Sequence, residues 1–144
     1  MRALTFVAPR FEWRPHEKTL EDAELTEGET RTVSDAVIVF MDIEAKDILH
    51  GNENEADHSK ALRKILKHVK WQANKKGCRT IVLHSFAHLG GDRAAPGDAL
   101  NLMKALGQRL RQVGYRVERT PFGWNCSWDM SVIGEGIGKV WKEI

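Results

Sequence analysis

The chain has 144 residues, of which 42% are apolar and 29% charged, and its formal net charge is only +2. These values fit one soluble globular domain and exclude both intrinsic disorder and nucleic-acid binding driven by bulk charge. The longest apolar run, Ala36 to Met41, is too short to cross a membrane, and the apolar stretch near Met1 is too short for a signal peptide. We therefore expect a cytoplasmic protein with no membrane partner. Two cysteines, Cys78 and Cys126, exclude a disulfide scaffold and a four-cysteine zinc site.

The first third of the chain predicts two strands joined by an acidic loop. Residues 2–8 alternate weakly between apolar and polar and predict a strand that Pro9 stops. The acidic stretch from Glu17 to Glu29 has no apolar stripe to bury, so it predicts a solvated loop or a short edge element. Residues 36–41 are apolar on both faces, which is typical of a central strand covered on two sides.

Two amphipathic helices are predicted, and each ends at a glycine. The first spans about residues 55–76, begins after the polar segment 52–55 and ends at Gly77. The second spans about residues 97–113, follows Pro96 and ends at Gly114. Both have apolar residues at the spacing of one buried helix face. These residues are Leu62, Ile65, Leu66, Val69 and Ala73 in the first helix, and Ala99, Met103, Leu106, Leu110 and Val113 in the second.

The remaining elements are short. Residues 80–84, 115–120 and 124–133 are predicted as strands, and residues 137–144 as a terminal helix. The resulting order, β-β-α-β-α-β-β-(α), is typical of an α/β fold. We therefore predict one domain over residues 1–144, with a mixed β-sheet and two main helices.

The segment after the third predicted strand is the richest in chemistry. Because an even number of residues separates His84 from His88, both can face one side at the carboxyl end of the strand, where open α/β sheets bind ligands. His84, His88 and Asp92 have side chains that can ligate a metal, but no thiolate or His-Glu-x-x-His helix supports such a site. We predict no metal and no cofactor. A Cys126 nucleophile paired with His88 is a further option, although a lone cysteine is more often a small buried apolar residue.

The outer face of the first helix is basic, and no acidic residue occurs between His58 and Lys76. This basic ridge can neutralise RNA phosphates, and Trp71 at its end can stack on a base. A solvated helix face fits the same pattern equally well. The residues that define the basic ridge are Lys60, Arg63, Lys64, Lys67 and Lys70.

Four short motifs together resemble the archaeal threonyl-tRNA synthetase editing domain over nearly the whole chain. They are Phe86-Ala87-His88-Leu89, Pro96-x-x-Ala99, Gly114-Tyr115-x-Val117 and Pro121-Phe122-Gly123. The resemblance implies a D-aminoacyl-tRNA deacylase-like fold and an enzyme that removes serine mischarged on threonine tRNA. It also implies a freestanding editing domain whose partner is aminoacyl-tRNA rather than DNA. Related deacylase-type folds are usually dimers, and Trp124 and Trp128 lie on one face of the last predicted strand, so a homodimer is expected.

The resemblance also assigns site residues. His88 matches the pocket histidine of the family, Ala87 its neighbour at the aminoacyl site, and Ile43 an aliphatic pocket position. After Pro-Phe-Gly the family has two aromatic residues and a lysine, whereas this chain has Trp124-Asn125-Cys126, and the family glutamate falls on Lys139. The catalytic candidates are therefore His88, Cys126 and Lys139, and the substrate-binding candidates are Ile43, Ala87, Phe122, Trp124 and Asn125.

Three functions remain open at this point. The first is a trans-editing deacylase that hydrolyses mischarged aminoacyl-tRNA. The second is a diverged module that binds tRNA or an amino-acid-like ligand without turnover. The third is a structural relative whose basic ridge contacts an acidic protein. Incubation with seryl-tRNA distinguishes the three: turnover indicates the first function, binding without turnover the second, and the absence of both the third.

Overall fold

The structure is a computed structural model, and it describes residues 1–48 and 60–144. The predicted start of the first helix near Glu55 and the polar segment 52–55 lie outside the described residues. Within the described ranges the regular elements are β1 Arg2–Lys18, β2 Arg31–Asp42, α1 Lys60–Lys76, β3 Thr80–Ser85, α2 Pro96–Gln112, β4 Arg116–Arg119, β5 Trp124–Ser131 and β6 Lys139–Glu143. No helix in this part of the chain is long and apolar enough to cross a membrane.

The strands form one mixed sheet, as predicted. Its order is β4-β3-β2-β1-β5, and β6 pairs with β1 as well. Strand β2 is parallel to β3, and β3 to β4, whereas β1 is antiparallel to β2, β5 and β6. Strands β5 and β6 share β1, because β6 pairs with residues 2–6 and β5 with residues 10–18.

Both helices pack against the same face of the sheet and form the larger hydrophobic core there. Most residues of the predicted helix stripes are buried in it, and Leu62, Ile65, Leu106 and Leu110 are fully buried. Leu66 is partly buried, and Val113, which follows the end of α2, is exposed. The opposite face carries a smaller aromatic cluster around Phe11, Trp13 and Phe40. Its partly buried members include Leu4, Phe6, Phe86 and Met130.

The prediction that the first strand ends at Pro9 is wrong, because β1 continues to Lys18. Pro9 lies between the pairs Ala8–Ala36 and Arg10–Ser34, beside Asp35, whose φ is +49°. A second irregularity, a register shift between Pro15 and Glu17, accommodates the other proline. A proline lacks the N–H of a regular ladder, so these two places are where a long strand tolerates one. Residues 19–30 are mostly exposed, as the acidic stretch predicts. The half-buried ones are Leu20, Ala23, Glu24, Thr26 and Gly28.

The predicted terminal helix over 137–144 is also wrong. Residues 136–138 form a single 3-10 turn, and Lys139–Glu143 form β6. The free edge of β1 offers backbone partners from Arg2 to Phe6, so pairing satisfies the backbone groups of a segment that is too short to be a stable helix.

Candidate functional site

A cavity of about 490 Å³ lies at the carboxyl ends of the parallel strands. Residues that follow β2, β3 and β4 line it, together with the first residues of α2 and β5. The volume is in the range of small-molecule sites, and the position at the carboxyl ends is where open α/β sheets bind ligands.

The cavity brings together most of the candidates that the sequence predicts, although they are spread over more than 80 residues of chain. Ile43 follows β2, while Ala87 and His88 follow β3. The segment that leads into β5 contributes the others. The lining candidates are Ile43, Ala87, His88, Phe122, Trp124, Asn125 and Cys126.

Lys139 is the one catalytic candidate that does not line this cavity. It begins β6 opposite Phe6, and its Nζ donates a hydrogen bond of 3.1 Å to the carbonyl oxygen of Ile133. The position of Lys139 follows from the pairing of β6 with β1. The cation that does line the cavity is Arg93, in the loop before α2, and sequence reasoning did not single it out.

His88 stands exposed at the rim of the cavity. Its ring meets Phe86 edge to face, with the ring centroids 5.3 Å apart. Two hydrogen bonds hold the loop around it: the Phe86 N–H donates to the Met41 carbonyl at 2.9 Å, and the Leu89 N–H donates to Asp42 Oδ2 at 3.1 Å. These two hydrogen bonds fix the backbone of the loop, and neither involves the imidazole of His88.

His84 forms a buried part of the cavity wall. Its Nδ1 lies 2.8 Å from the hydroxyl oxygen of Thr120, and its ring centroid is 4.7 Å from that of Phe40. Burial lowers the pKa of His84 from 6.5 to about 4, so the ring is neutral at physiological pH. Together with Thr120 it gives the cavity an uncharged polar wall.

Glu24 organises the wall formed by residues 121–124, and sequence reasoning missed it. Its carboxylate forms an ion pair with Arg119 and accepts a hydrogen bond of 2.7 Å from the Phe122 N–H. Its backbone carbonyl accepts a hydrogen bond of 2.8 Å from Nε1 of Trp124. Chiefly because of the Arg119 hydrogen bond, the pKa of the Glu24 carboxyl is lowered, while its partial burial opposes this shift. One glutamate among six acidic residues in the stretch 17–29 carries no signal that distinguishes it.

Cys126 lines the cavity as a half-buried thiol. Burial raises its pKa, so the thiol is protonated at neutral pH, and its Sγ contacts the Trp124 carbonyl oxygen at 4.0 Å. A protonated thiol is a poor nucleophile. This environment favours the interpretation of Cys126 as a residue that shapes the cavity.

Asp42 is the only carboxylate and Arg93 the only permanent cation among the described residues that line the cavity. Asp42 ends β2 and is 1% exposed. The signal that could have found it is its position, since a polar residue at the carboxyl end of a buried parallel strand faces the ligand edge of the sheet.

In the described part of the chain, no group of three or more His, Cys, Asp or Glu side chains is placed to hold a metal ion. The trio His84, His88 and Asp92 is thus not brought together as a ligand set. His84 uses its Nδ1 on Thr120 instead.

The basic ridge lies on α1, and none of its residues lines the cavity. Lys60, Arg63, Lys64 and Lys67 are exposed and Lys70 is half-buried. Trp71, which follows the ridge, is 44% exposed and has its ring centroid 5.6 Å from that of His68.

The sequence matches a family model described as the archaea-specific editing domain of threonyl-tRNA synthetase, and the match covers residues 1–144. Curated relatives include threonine–tRNA ligases of Staphylothermus marinus, 30% identical over 147 residues, and of Cenarchaeum symbiosum, 32% identical over 146 residues. Both alignments cover the whole of this chain, which spans about a fifth of the length of those relatives, 22% and 21%.

Among solved structures, the chain is similar to the c-Myc DNA unwinding element binding protein, with a TM-score of 0.56 and 16% identity. That alignment covers 100% of this chain and 99% of the other. The similarity concerns the fold, and it confirms the predicted fold class, a mixed sheet with two main helices.

Proposed function

The chain belongs to the archaea-specific editing domains of threonyl-tRNA synthetase, and from this membership we propose that it is an editing deacylase that hydrolyses mischarged aminoacyl-tRNA. In its finer form the proposal has the chain act in trans on serine attached to threonine tRNA, as the motif resemblance implies.

The observation that carries the proposal is the assembly of the cavity. The segment after β3, with Ala87 and His88, meets Ile43 and the wall of residues 121–124 at one edge of the sheet. These are the positions that match the family's aminoacyl pocket. The agreement between motif positions and three-dimensional placement supports an aminoacyl group as the ligand.

Hydrolysis of an aminoacyl ester needs a held water, donors directed at the developing oxyanion and a route for protons. The water oxygen attacks the ester carbonyl, and the ribose oxygen leaves with a proton. At the rim, His88 can donate a hydrogen bond to the amino-acid or ribose end of the substrate. Phe122 and Trp124 give the cavity an aromatic wall. We assign His88 a positioning role and the aromatic wall a role in shaping the site.

A binding module without turnover is the second candidate, and a specific observation favours it. Asn125 and Cys126 occupy positions where the family has an aromatic residue and a lysine, and Lys139 forms its hydrogen bond outside the cavity. Arg93 is then the cation available to the cavity, on a different element from the family lysine.

The deciding experiment incubates the chain at catalytic concentration with seryl-tRNA for threonine and with a panel of other charged tRNAs. Release of the amino acid over many turnovers supports the deacylase, and the preferred substrate identifies the amino acid. Saturable binding without release supports the binding module. If the chain neither releases the amino acid nor binds charged tRNA, both candidates are contradicted. Contact between the basic ridge and an acidic protein then becomes the function to test.

We also propose that the basic ridge binds the tRNA backbone. Its exposed ammonium groups lie on one face of a rigid helix, next to the exposed ring of Trp71. Lysines in this arrangement can neutralise successive phosphates.

A further inference from the structure

We propose that the Asp42 carboxylate is the group that binds the α-ammonium of the aminoacyl moiety in the cavity. The inference rests on the proposed function and deepens it, because it assigns a recognition role to a residue outside the motifs that carry the family resemblance.

The first observation is an unpaired buried oxygen. Asp42 Oδ2 accepts a hydrogen bond from the Leu89 N–H, whereas Oδ1 is buried and has no hydrogen-bond partner in the described part of the chain. Asp42 lines the cavity together with Ile43 and Ala87. A buried polar atom without a partner costs free energy, and at a cavity wall such an atom is a natural place for a ligand's donor.

The second observation is the contrast with the neighbouring buried acid. Glu44 lies two residues further along the chain and is 3% exposed. Its carboxylate forms ion pairs with the Met1 ammonium at 2.9 Å, with Arg2 at 3.0 Å and with Lys46 at 3.0 Å. The structure therefore pairs the Glu44 carboxylate with three cations and leaves Oδ1 of Asp42 unpaired among the described residues.

The third observation concerns charge. Burial is the largest influence on the Asp42 carboxyl and raises its pKa, and the nearby charge of Glu44 acts in the same direction. The Leu89 hydrogen bond and the charges of Arg93 and Arg2 oppose that shift. A cationic donor at Oδ1 offsets the cost of a buried carboxylate, which a neutral hydroxyl donor does to a smaller extent. An aminoacyl ester carries such a cation within a few bonds of the scissile carbonyl.

A binding experiment tests the assignment independently of turnover. The probes are two non-hydrolysable ligands in which serine, or serine lacking its α-amino group, is joined by an amide to 3′-amino-3′-deoxyadenosine. We expect the wild-type chain to bind the amino-bearing ligand roughly ten- to hundredfold more tightly, the range of a charge-assisted hydrogen bond. In Asp42→Asn, which keeps an acceptor for the Leu89 N–H, this preference should fall to within about threefold of unity.

The control is Asp92→Asn, which removes an exposed carboxylate from the loop after β3 and should keep the wild-type preference. If Asp42→Asn fails to fold, as judged by its thermal transition, Asp42→Ser is used in its place. Equal binding of both ligands by the wild type overturns the inference but leaves the proposed function intact. A full preference in the folded Asp42 variant likewise overturns the inference alone, and binding of neither ligand by the wild type contradicts the proposed function and the inference together.

Discussion

At the scale of single residues, the site separates one exposed histidine from one buried histidine. His88 lies at the cavity rim and supports no core packing, while His84 is 5% exposed and hydrogen-bonded to Thr120. The two residues are four positions apart in the chain, yet their surroundings predict different roles, one in ligand binding and one in folding stability. Substitution of His88 should affect the ligand, and titration of His84 should affect the fold.

We predict that His88→Ala lowers kcat/KM for deacylation, or ligand affinity, by roughly ten- to hundredfold while the melting temperature stays unchanged. The reason is that a positioned donor is worth on the order of 1–3 kcal/mol, while the rim imidazole contributes little to packing. Deacylation of charged tRNA and thermal unfolding are the two measurements. His16→Ala, which removes an exposed histidine from β1, is the matched control. Full activity in His88→Ala would contradict the assignment, and an unfolded variant would show that His88 is structural.

The second residue-scale prediction concerns pH. Because the pKa of His84 is about 4 in the folded chain and about 6.5 when unfolded, the unfolded state binds more protons between these values. This linkage should therefore lower the free energy of unfolding as pH falls from 7 towards 4, by about 2 kcal/mol at pH 5. Urea unfolding at pH 7 and at pH 5 measures the effect.

His84→Asn keeps a hydrogen-bond partner for Thr120 but does not titrate, so the pH-dependent loss of unfolding free energy in this variant should be smaller than in the wild type by this amount. His68 is also buried with a lowered pKa, but it is present in both chains and cancels in the comparison. An identical loss in the two chains would show that His84 does not cause it.

At the scale of elements, two backbone hydrogen bonds between distant segments hold one wall of the cavity. The segment of residues 19–24, which follows β1, supports the wall after β4: the Thr19 N–H donates to the Gly123 carbonyl and the Glu24 N–H to the Phe122 carbonyl. Gly123 has φ of +85°, and a Cβ there would lie 2.7 Å from the Cβ of Ala23. Close packing of these two backbones therefore requires glycine.

We predict that Glu24→Gln raises KM several-fold and lowers the free energy of unfolding by about 1 kcal/mol, because it breaks the ion pair with Arg119. The melting temperature should fall by about 3 °C. Glu21→Gln, which neutralises an exposed acid of the same loop, is the control. An unchanged KM in Glu24→Gln would show that the wall does not contact the substrate.

The second element is α1 with its basic ridge. We predict that the double variant Lys64→Gln, Lys67→Gln weakens tRNA binding and flattens its salt dependence by about two units of slope, roughly one for each phosphate that the variant no longer neutralises. Titration of tRNA at several salt concentrations measures the slope. The control removes two exposed charges elsewhere, Lys104 on α2 and Lys142 on β6. The same slope in both double variants and the wild type would show that the basic ridge is only a solvated helix face.

At the scale of the whole molecule, both helices cover one face of the sheet, and the other face keeps exposed apolar surface. Trp128 on β5 is 45% exposed and packs edge to face on Phe40, and Trp141 on β6 is 54% exposed and pairs with Leu4. Trp124 and Trp128 both line the cavity, and the indole N–H of Trp124 also donates a hydrogen bond to the Glu24 carbonyl oxygen. An exposed aromatic sheet face is typical of a contact surface.

We predict that this face forms a homodimer, so that light scattering at micromolar concentration gives twice the chain mass of 16.3 kDa. Trp128→Glu should yield the monomer, because it places a charge in the apolar contact. Val113→Glu, at an exposed apolar position beyond α2 on the helical side, should leave the mass unchanged. A monomeric wild-type chain would rule out a stable dimer.

Elements with a local signal could be predicted from the amino-acid sequence alone. Periodicity reveals the buried side of the two helices, a continuous apolar run reveals the strand 36–41, and a single glycine marks the end of each helix. The His88 loop could also be identified, because the motifs around it are contiguous. These predictions needed no knowledge of which segments meet.

The other features could not be predicted from local patterns, because they depend on contacts with residues far away in the chain. Pro9 is tolerated because β1 pairs there with an irregular part of β2, and residues 139–143 form a strand because the edge of β1 is free. Glu24 and Asp42 are single acids whose environment comes from Arg119, Phe122 and Leu89, between 47 and 98 residues away. Burial, pairing and the lack of a pairing partner are properties of these long-range contacts, so no local pattern contains them.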